Sequence, residues 1–360
     1  MTDKYFNFQG DFVKSMEEAL KSRGIVNILI AGKTGVGKST LINAVFQGKM
    51  ADTGQGSPVT QHTRRITKEG VPVSIYDTKG LELKDYKPIV EELLSLVTKK
   101  NRCKDPQEHI HVAWLCIAES SRRVEDAELI LLKQLSAQLP VIVVITTAVS
   151  DAGFKKTVDN LMPEARNVVR INSLPVMLDG GYTVPIFGLE ELIKITMDVI
   201  PDGQKKAFAA AQCICLEEKV KQARIVVATA SVSAGGIGAI PIPFSDAIAI
   251  VPIQIGMLAG ISAAFGLDIS DGFLGTVISS TFSGLAGTMA GRAAVAAFLK
   301  FIPGAGSLAG GMMSAAVATS LTATFGMAYI ATLEALLKDD PDRKLSAEDV
   351  ANAFKERMSA

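Results

Sequence analysis

The eight residues from Gly32 to Ser39 place the tightest constraint on how this chain can fold. They read GKTGVGKS, follow the continuous apolar run Ile25–Ala31, and lead into a helical pattern that starts at Lys38. A continuous apolar run is typical of a strand buried on both faces. Glycines let the loop backbone turn its N–H groups toward an anion, and the helix N-terminus adds a positive dipole end. The stretch therefore predicts a strand, a phosphate-binding loop and a helix. The alternative is a glycine-rich turn that matches by coincidence.

Side chains at the end of this loop are suited to polyphosphate chemistry. The Lys38 ammonium can reach the β- and γ-phosphates of a nucleotide, and the Ser39 hydroxyl can ligate Mg²⁺. Mg²⁺ is the cofactor that we expect. The predicted phosphate-side residues are Gly32, Lys33, Thr34, Gly35, Val36, Gly37, Lys38, Ser39 and Thr40.

A second anchor is predicted in the stretch SIYDTKG. Asp77 ends an apolar strand, where its carboxylate can hold Mg²⁺ through water, and the N–H of Gly80 can approach a γ-phosphate. In the preceding stretch GSPVTQHTRR, Thr60, with Thr63 as second choice, is expected to complete the metal shell and act as a switch. The alternatives are a strand-end turn at Asp77 and a solvated loop at Thr60. The predicted catalytic residues are Lys38, Thr60 and Gly80, and the predicted metal ligands are Ser39, Thr60 and Asp77.

Strands and helices alternate through the first 200 residues. A hairpin is predicted in RRITKEGVPVSIYD, and buried strands at 111–118, 141–146 and 167–172. Helical periodicity covers 86–99, 124–138, 151–166 and 189–200. This alternation predicts an α/β fold with a mostly parallel sheet covered on both faces.

The order of GKTGVGKS, SPVT, DTKG, IHVAWLCI, VIVVITTAVSD and FGLEELI resembles Era-like GTPases of the translation-factor-related class. The downstream stretches AFAAAQ, ASVSAGGIGAIPIPFSDA and FIPGAGSLAGG resemble bacterial-type GTPases with a hydrophobic helical C-terminal domain of unknown function. The resemblance extends from Ile25 to Leu337. It implies a Ras-like fold, GTP and GDP as ligands, and hydrolysis of GTP to GDP and phosphate.

The loop after the strand Val141–Ile145 departs from the usual base-reading pattern. Thr146 and Thr147 stand where the family has Asn and Lys, and Val149 stands where it has Asp. Asp151, two residues later, could reach a guanine base or could simply cap the following helix. The backbone of INSLP, after the last strand, could also contact the purine. The resemblance favours GTP, with an ATPase as the alternative. The predicted base-side residues are Thr146, Thr147, Asp151, Asn172 and Ser173.

Leu81 follows Gly80, at the position where Ras-like switches place a water-orienting glutamine. Intrinsic hydrolysis is therefore expected to be slow unless another group positions the water. His62 and Arg123 are candidates for that role, although the surface position is the favoured interpretation for each. A nucleotide-gated membrane scaffold with negligible turnover is accordingly the alternative to an enzyme.

The proportion of charged residues falls sharply after Arg224. From Ile225 to Leu333 the only charged residues are Asp246, Asp268, Asp271, Arg292 and Lys300. Composition predicts an N-terminal amphipathic helix (1–24), an α/β domain (25–200), an all-α hydrophobic helical domain (201–338) and a polar tail helix (339–360).

The hydrophobic region contains four stretches near the length of a membrane span: 225–245, 247–267, 272–291 and 301–333. Glycine pairs at GxxxG spacing, Gly256/Gly260, Gly287/Gly291 and Gly306/Gly310, would permit close helix approach. We therefore expect membrane association through 225–333, at the cytoplasmic face. A soluble bundle of small-residue helices is the alternative, and Asp246 would be costly in lipid.

Composition argues against several other classes of function. The formal net charge is +0 and no basic stripe is visible, so nucleic-acid binding is not expected. The four cysteines have no regular spacing, which favours a reducing compartment over a disulfide framework. Cys103, His109, His111 and Cys116 match no usual zinc pattern. The N-terminal stretch lacks the features of a secretory signal. Self-association remains open.

Overall fold

The computed structural model describes residues 17–18, 21–46, 50–51, 64–78, 86–238, 246–267, 271–282 and 315–359. The chain divides into two compact units. One is Gly24–Cys215, and the other combines Met1–Arg23 with Leu216–Ala360. Of the predicted N-terminal helix, residues 17–18 and 21–23 are helical, and the remainder up to residue 20 lies outside the described residues.

The first unit is built on a six-stranded sheet in the order β2-β3-β1-β4-β5-β6. β2 runs antiparallel to β3 and all other neighbours are parallel, so the predicted mostly parallel sheet is confirmed. The strands are β1 Val26–Gly32, β2 Arg64–Lys68, β3 Val71–Asp77, β4 Val112–Ala118, β5 Val141–Thr146 and β6 Asn167–Arg170, with a small separate hairpin of β7 Val176–Met177 and β8 Thr183–Val184.

Helices cover both faces of this sheet. Alternate residues of each central strand enter different cores: Ile28 and Trp114 pack on one face, Leu29 and Leu115 on the other. This explains why the strands read as continuous apolar runs. The helices of the first unit are α1 Lys38–Val45, α2 Tyr86–Asn101, α3 Asp126–Ser136, α4 Phe154–Leu161, α5 Leu189–Val199 and α6 Asp202–Ala211.

β1 is the point where the strand order reverses, because β3 lies on one side of it and β4 on the other. In open α/β sheets, ligands bind at such a point, outside the carboxyl ends of the strands. Ile30 of β1 lies beside Asp77 of β3, and Gly32 lies beside Cys116 of β4. The predicted phosphate loop and the predicted metal ligand therefore leave the sheet at neighbouring positions.

The first compact unit runs to Cys215. It therefore includes α6, which follows the predicted domain end at residue 200 and precedes the change in charge content after Arg224. Phe208 of α6 packs edge-on against Trp114, with ring centroids 6.4 Å apart, and against Phe46 at 6.2 Å. These aromatic contacts attach α6 to the face of the sheet that also carries α1 and α5.

The second unit is helical, as predicted for the hydrophobic region. Its helices pack closely where glycine replaces a side chain. A Cβ atom on Gly260 would lie 2.8 Å from a methyl of Val226, and one on Gly326 would lie 2.6 Å from a methyl of Val227. Its described helices are α7 Leu216–Gly238, α8 Asp246–Phe265, α9 Asp271–Phe282, α10 Ala315–Leu337 and α11 Ala347–Ser359.

The polar tail helix α11 packs onto this helical unit. Phe354 is fully buried, with its ring centroid 5.2 Å from that of Phe325 and 5.0 Å from that of Tyr329. The hydroxyl of Ser346 accepts a hydrogen bond from the Asp349 amide at 3.1 Å and caps α11.

Within the described parts of the chain, one helix, Ala316–Leu337, is long and apolar enough to cross a membrane, and 44% of its apolar window is buried inside the protein. The core helix of a soluble protein meets the same criterion. The predicted spans 225–245, 272–291 and 301–333 fall partly outside the described residues, and the pairs Gly287/Gly291 and Gly306/Gly310 lie wholly outside them.

Candidate functional site

The phosphate loop, residues 32–39, adopts a backbone that depends on its glycines. Gly35 and Gly37 have φ angles of 79° and 92°, in the left-handed region that side chains disfavour. A Cβ atom on Gly32 would lie 2.4 Å from the Cys116 carbonyl oxygen. The loop can therefore wrap tightly between β1 and α1 only with these residues.

Lys38 lies within the curve of this loop. Its side chain is buried, and its ammonium donates to the carbonyl oxygens of Gly32 at 2.9 Å and Lys33 at 2.8 Å. The ammonium is thus held by the loop itself.

Asp77 ends β3 beside Ile30 of β1, two residues before the phosphate loop begins. It is 1% exposed at the end of β3, and the neighbouring Thr78 amide donates to Ile30 of β1 at 3.1 Å. Burial raises the pKa of the Cys116 thiol to about 12, while the Lys38 charge lowers that pKa and the Asp77 charge raises it. Both charges therefore act on one point of the structure, the Cys116 sulfur.

The donor set near this point fits Mg²⁺. Ser39 is half-buried in the first turn of α1, and Asp77 supplies a carboxylate. Hydroxyl and carboxylate oxygens are the ligands that this hard cation prefers. The other predicted metal ligand, Thr60, and the predicted γ-phosphate contact, Gly80, lie outside the described residues, as do His62, Thr63 and Leu81.

An ion pair fixes the rim of the phosphate loop. The Lys33 ammonium lies 2.8 Å from the Glu125 carboxylate, just before α3, and the Arg123 Nε lies 3.4 Å from the same oxygen. The hydrogen bond from Lys33 lowers the pKa of the Glu125 carboxyl. The Lys33 side chain is therefore engaged with protein. Thr34 is exposed and Thr40 half-buried.

Thr146 connects the phosphate loop to the end of β5. Its side chain is buried, and its hydroxyl donates to the Val36 carbonyl at 2.5 Å, with the Ile117 carbonyl at 3.2 Å. The next residue, Thr147, is exposed and has a left-handed backbone with φ 48°. A Cβ atom on Gly37 would lie 3.7 Å from its methyl group. The two threonines predicted on the base side thus lie against the phosphate loop.

Residues 147–152, called the base loop below, lead from β5 toward α4. Asp151 uses one carboxylate oxygen, Oδ1, to accept the Lys155 amide at 2.8 Å, and that oxygen lies 3.4 Å from Arg170 Nε. Val149, at the position where the family pattern has Asp, is 38% exposed. Asp151 is therefore partly engaged as a helix cap, and its second oxygen is the one that could face a base.

Asn172 and Ser173 differ in what they can offer a ligand. Asn172 is 2% exposed, and its side-chain amide donates to the Pro185 carbonyl at 2.9 Å. Its backbone also exchanges two hydrogen bonds of 3.1 Å with Phe187. Ser173 is half-buried. The Asn172 side chain thus supports the segment before α5, and only Ser173 of this pair leaves its side chain partly accessible.

Three residues that contact the base loop were missed by the sequence reasoning: Glu119, Arg122 and Arg170. Glu119 follows the buried strand β4 directly, and it is 2% exposed. A carboxylate at the carboxyl end of a central strand was the signal that could have found it. Arg122 and Arg170 carry no comparable sequence signal, because their role depends on the folded loop.

Residues 27–147 match the family model described as 50S ribosome-binding GTPase. This part of the chain is therefore similar to a GTPase domain. The match begins in β1 and ends at Thr147, so it includes the phosphate loop and Asp77. The remainder of the base loop, α4 to α6 and the helical unit lie beyond the matched residues.

Several curated proteins share parts of this sequence. GTPase Era of Pasteurella multocida is 26% identical over 183 residues, which cover 49% of this chain and 54% of Era. Sporulation-regulated protein 3 of Saccharomyces cerevisiae is 23% identical over 214 residues, 54% of this chain and 40% of that protein. Magnetosome membrane protein 22 of Magnetospirillum gryphiswaldense is 30% identical over 91 residues, 25% of this chain and 47% of that protein. The chain therefore spans about half the length of these relatives.

Proposed function

We propose that the protein binds GTP, hydrolyses it to GDP and phosphate, and acts as a nucleotide switch. The observation that carries this proposal is the Lys38 ammonium held inside a wrapped phosphate loop, with the buried Asp77 at the end of the neighbouring strand. A cation, a metal-ligating carboxylate and a row of loop amides are the parts that phosphoryl transfer uses.

Each side chain has a distinct task in this proposal. Lys38 exchanges the loop carbonyls for the β- and γ-phosphate oxygens, and the loop amides bind the same phosphates. Ser39 and Asp77, with Thr60, would hold Mg²⁺, which neutralises charge on the transferred phosphoryl group when it is bound. Gly80 would donate its amide to the γ-phosphate, so that Thr60 and Gly80 sense whether that phosphate is present.

Single-turnover hydrolysis by the purified full-length protein tests this function. Release of phosphate from Mg·GTP at a rate above that of buffer supports an enzyme. Tight binding of GTP without phosphate release would instead support the nucleotide-gated scaffold, which Leu81 favours because no glutamine follows Gly80. Competition between GTP and ATP for the site separates the GTPase from an ATPase.

Asp151 is proposed to read the guanine base through the carboxylate oxygen that does not cap α4. We expect Asp151→Asn to weaken GTP binding about tenfold and to leave ATP binding unchanged, because an amide presents a donor where the guanine N1 and N2 hydrogens need an acceptor. Asparagine is as good a helix cap as aspartate, so the fold is retained. Titrations with both nucleotides measure the effect.

Asp159→Asn is the matched control, because Asp159 is exposed on α4 and its substitution removes the same charge. Equal GTP affinity in Asp151→Asn and the control would assign Asp151 to helix capping alone. An equal loss of GTP and ATP affinity in Asp151→Asn would point to a general change in the loop and would also contradict base reading.

Membrane association at the cytoplasmic face is proposed for the helical region 225–333. The apolar helix Ala316–Leu337 supports it, as does the name of the relative called magnetosome membrane protein 22. We expect the full-length protein to sediment with membranes after washing with high salt and then with alkaline carbonate, since apolar contacts resist both treatments. Release by high salt would indicate electrostatic attachment, and recovery in the soluble fraction before any wash would contradict the proposal.

A further inference from the structure

Backbone strain in the described residues is concentrated in two neighbouring loops. Arg122, Thr147 and Ala152 have φ angles of 52°, 48° and 42°, and they are the non-glycine residues with a left-handed backbone in the described part of the chain. Two of the three lie in the base loop and the third lies in the connection after β4. A left-handed backbone is unfavourable for a residue that carries a side chain. Such a conformation persists only where surrounding contacts hold it.

Glu119 supplies the strongest of these contacts. One oxygen of its buried carboxylate, Oε2, accepts the amides of Val149 at 2.5 Å and Ser150 at 2.7 Å. The other oxygen, Oε1, accepts from Arg170 Nε at 2.7 Å and lies 2.6 Å from Arg170 Nη2. All these partners are donors, so the carboxylate is saturated by charge-assisted hydrogen bonds.

Two arginines complete the enclosure of the base loop. The Arg122 guanidinium donates to the Asp151 carbonyl at 2.5 Å and to the Ser150 carbonyl. Arg170 connects Glu119 to the Asp151 carboxylate, which lies 3.4 Å from its Nε. The backbone adds one further tie, because the Ala148 amide donates to the Ile171 carbonyl at 3.0 Å. Loop amides, loop carbonyls and the Asp151 carboxylate are therefore all held by groups outside the loop.

We propose that Glu119, acting with Arg170, is a positioning residue that fixes the base loop and thereby sets purine selectivity. This inference rests on the proposed function, because it takes the base loop as the part of the site that contacts the purine. Glu119 does not touch the nucleotide. It holds the backbone of the base loop, which carries Thr147, Val149 and Asp151. This loop lacks the Asn and Asp of the family pattern.

The charge of Glu119 is required for this role. A glutamine at position 119 would have to direct its NH2 group either at the Arg170 guanidinium or at the Val149 and Ser150 amides, so donors would face donors. The phosphate loop would be unaffected, because its tie to β5 runs through the Thr146 hydroxyl and the Val36 carbonyl. We therefore expect Glu119→Gln to change the contacts with the purine and to leave the contacts with the phosphates intact.

The test compares Glu119→Gln with Glu128→Gln in the full-length protein. Both carboxylates are 2% exposed, but Glu128 bonds the amide of Glu125 at the start of its own helix, and glutamine can replace it in such a capping box. Dissociation constants for Mg·GTP, Mg·ATP and inorganic tripolyphosphate are measured by titration and by competition. Tripolyphosphate reports on the phosphate loop alone.

For Glu119→Gln we expect GTP to bind at least tenfold more weakly, the ratio of GTP to ATP affinity to fall toward one, and tripolyphosphate to bind within twofold of the unmodified protein. Glu128→Gln should match the unmodified protein for all three ligands. Arg170→Lys is a second variant, which keeps the charge but loses the paired guanidinium geometry, and it should shift the same ratio in the same direction.

Three results would overturn the inference. An equal loss for GTP and tripolyphosphate would assign Glu119 a general structural role. Unchanged selectivity in both Glu119→Gln and Arg170→Lys would show that the loop holds its shape without this pair. Equal effects of Glu119→Gln and Glu128→Gln would assign the effect to loss of any buried carboxylate. Failure of the unmodified protein to bind GTP would instead overturn the proposed function, and this inference with it.

Discussion

Replacing Lys38 by alanine is expected to lower the single-turnover rate of GTP hydrolysis at least a hundredfold, equivalent to about 2.7 kcal/mol of transition-state stabilisation. The Lys38 ammonium lies in the curve of the phosphate loop, held by two loop carbonyls. Alanine at position 38 removes the loop cation that lies beside the Gly32 and Lys33 carbonyls. Charge that develops on the phosphoryl oxygens would then lose its preorganised partner.

The measurement is phosphate release from a stoichiometric amount of GTP by the purified full-length protein. Lys99→Ala, which removes an exposed lysine near the end of α2, is the control and should retain the unmodified rate. A Lys38→Ala protein that hydrolyses GTP within a few-fold of the control would show that hydrolysis, if present, does not use this loop.

Replacing Gly188 by alanine is expected to destabilise the first unit more than the same change at Gly153. Both glycines precede a helix and have a left-handed backbone, with φ angles of 79° and 81°. A Cβ atom on Gly188 would lie 2.0 Å from the Arg170 carbonyl oxygen, whereas one on Gly153 would meet nothing within 4 Å. Both variants pay for backbone strain, and only Gly188→Ala also forces backbone atoms apart. We expect the additional loss to be about 1–3 kcal/mol of unfolding free energy.

Urea unfolding followed by tryptophan fluorescence measures this difference in stability, and the signal comes from the first unit. The chain has a single tryptophan, Trp114, which is fully buried in the sheet core of the first unit. Equal unfolding midpoints for the two variants would show that β6 can move away from α5 without cost. Such freedom would also weaken the argument that Arg170 is rigidly placed beside Glu119.

Local patterns in the sequence predicted much of the first unit. The glycines, the lysine and the adjoining apolar run place the phosphate loop between β1 and α1, because each of these signals acts over a few neighbouring residues. The position of Asp77 at the end of β3 was predicted for the same reason, since a polar residue after an apolar run marks the carboxyl edge of a sheet.

Contacts between distant residues were beyond this reasoning. Glu119 and Arg170 are separated by 51 residues, and nothing near either one indicates the other. The attachment of α6 to the first unit depends likewise on Phe208 meeting Phe46 and Trp114. The predicted boundary lies before α6, because no local pattern in the sequence shows that this helix packs on the sheet.

The helical unit shows a different limit of sequence reasoning. Small and apolar residues such as those near Gly260 and Gly326 allow helices to approach closely in water and in lipid alike. The structure shows where they approach, with Val226 and Val227 of α7 against these two glycines. The pattern of residues cannot distinguish the two solvents, since in either one the same contact buries the same surface.

Titration calorimetry of the full-length protein with Mg·GTP tests the central claim, that a wrapped loop of amides and the Lys38 ammonium bind a nucleoside triphosphate. The account predicts saturable heat with one site per chain, tighter binding of GTP than of ATP, and loss of the signal in Lys38→Ala. The absence of binding heat with either nucleotide at millimolar concentration would contradict it.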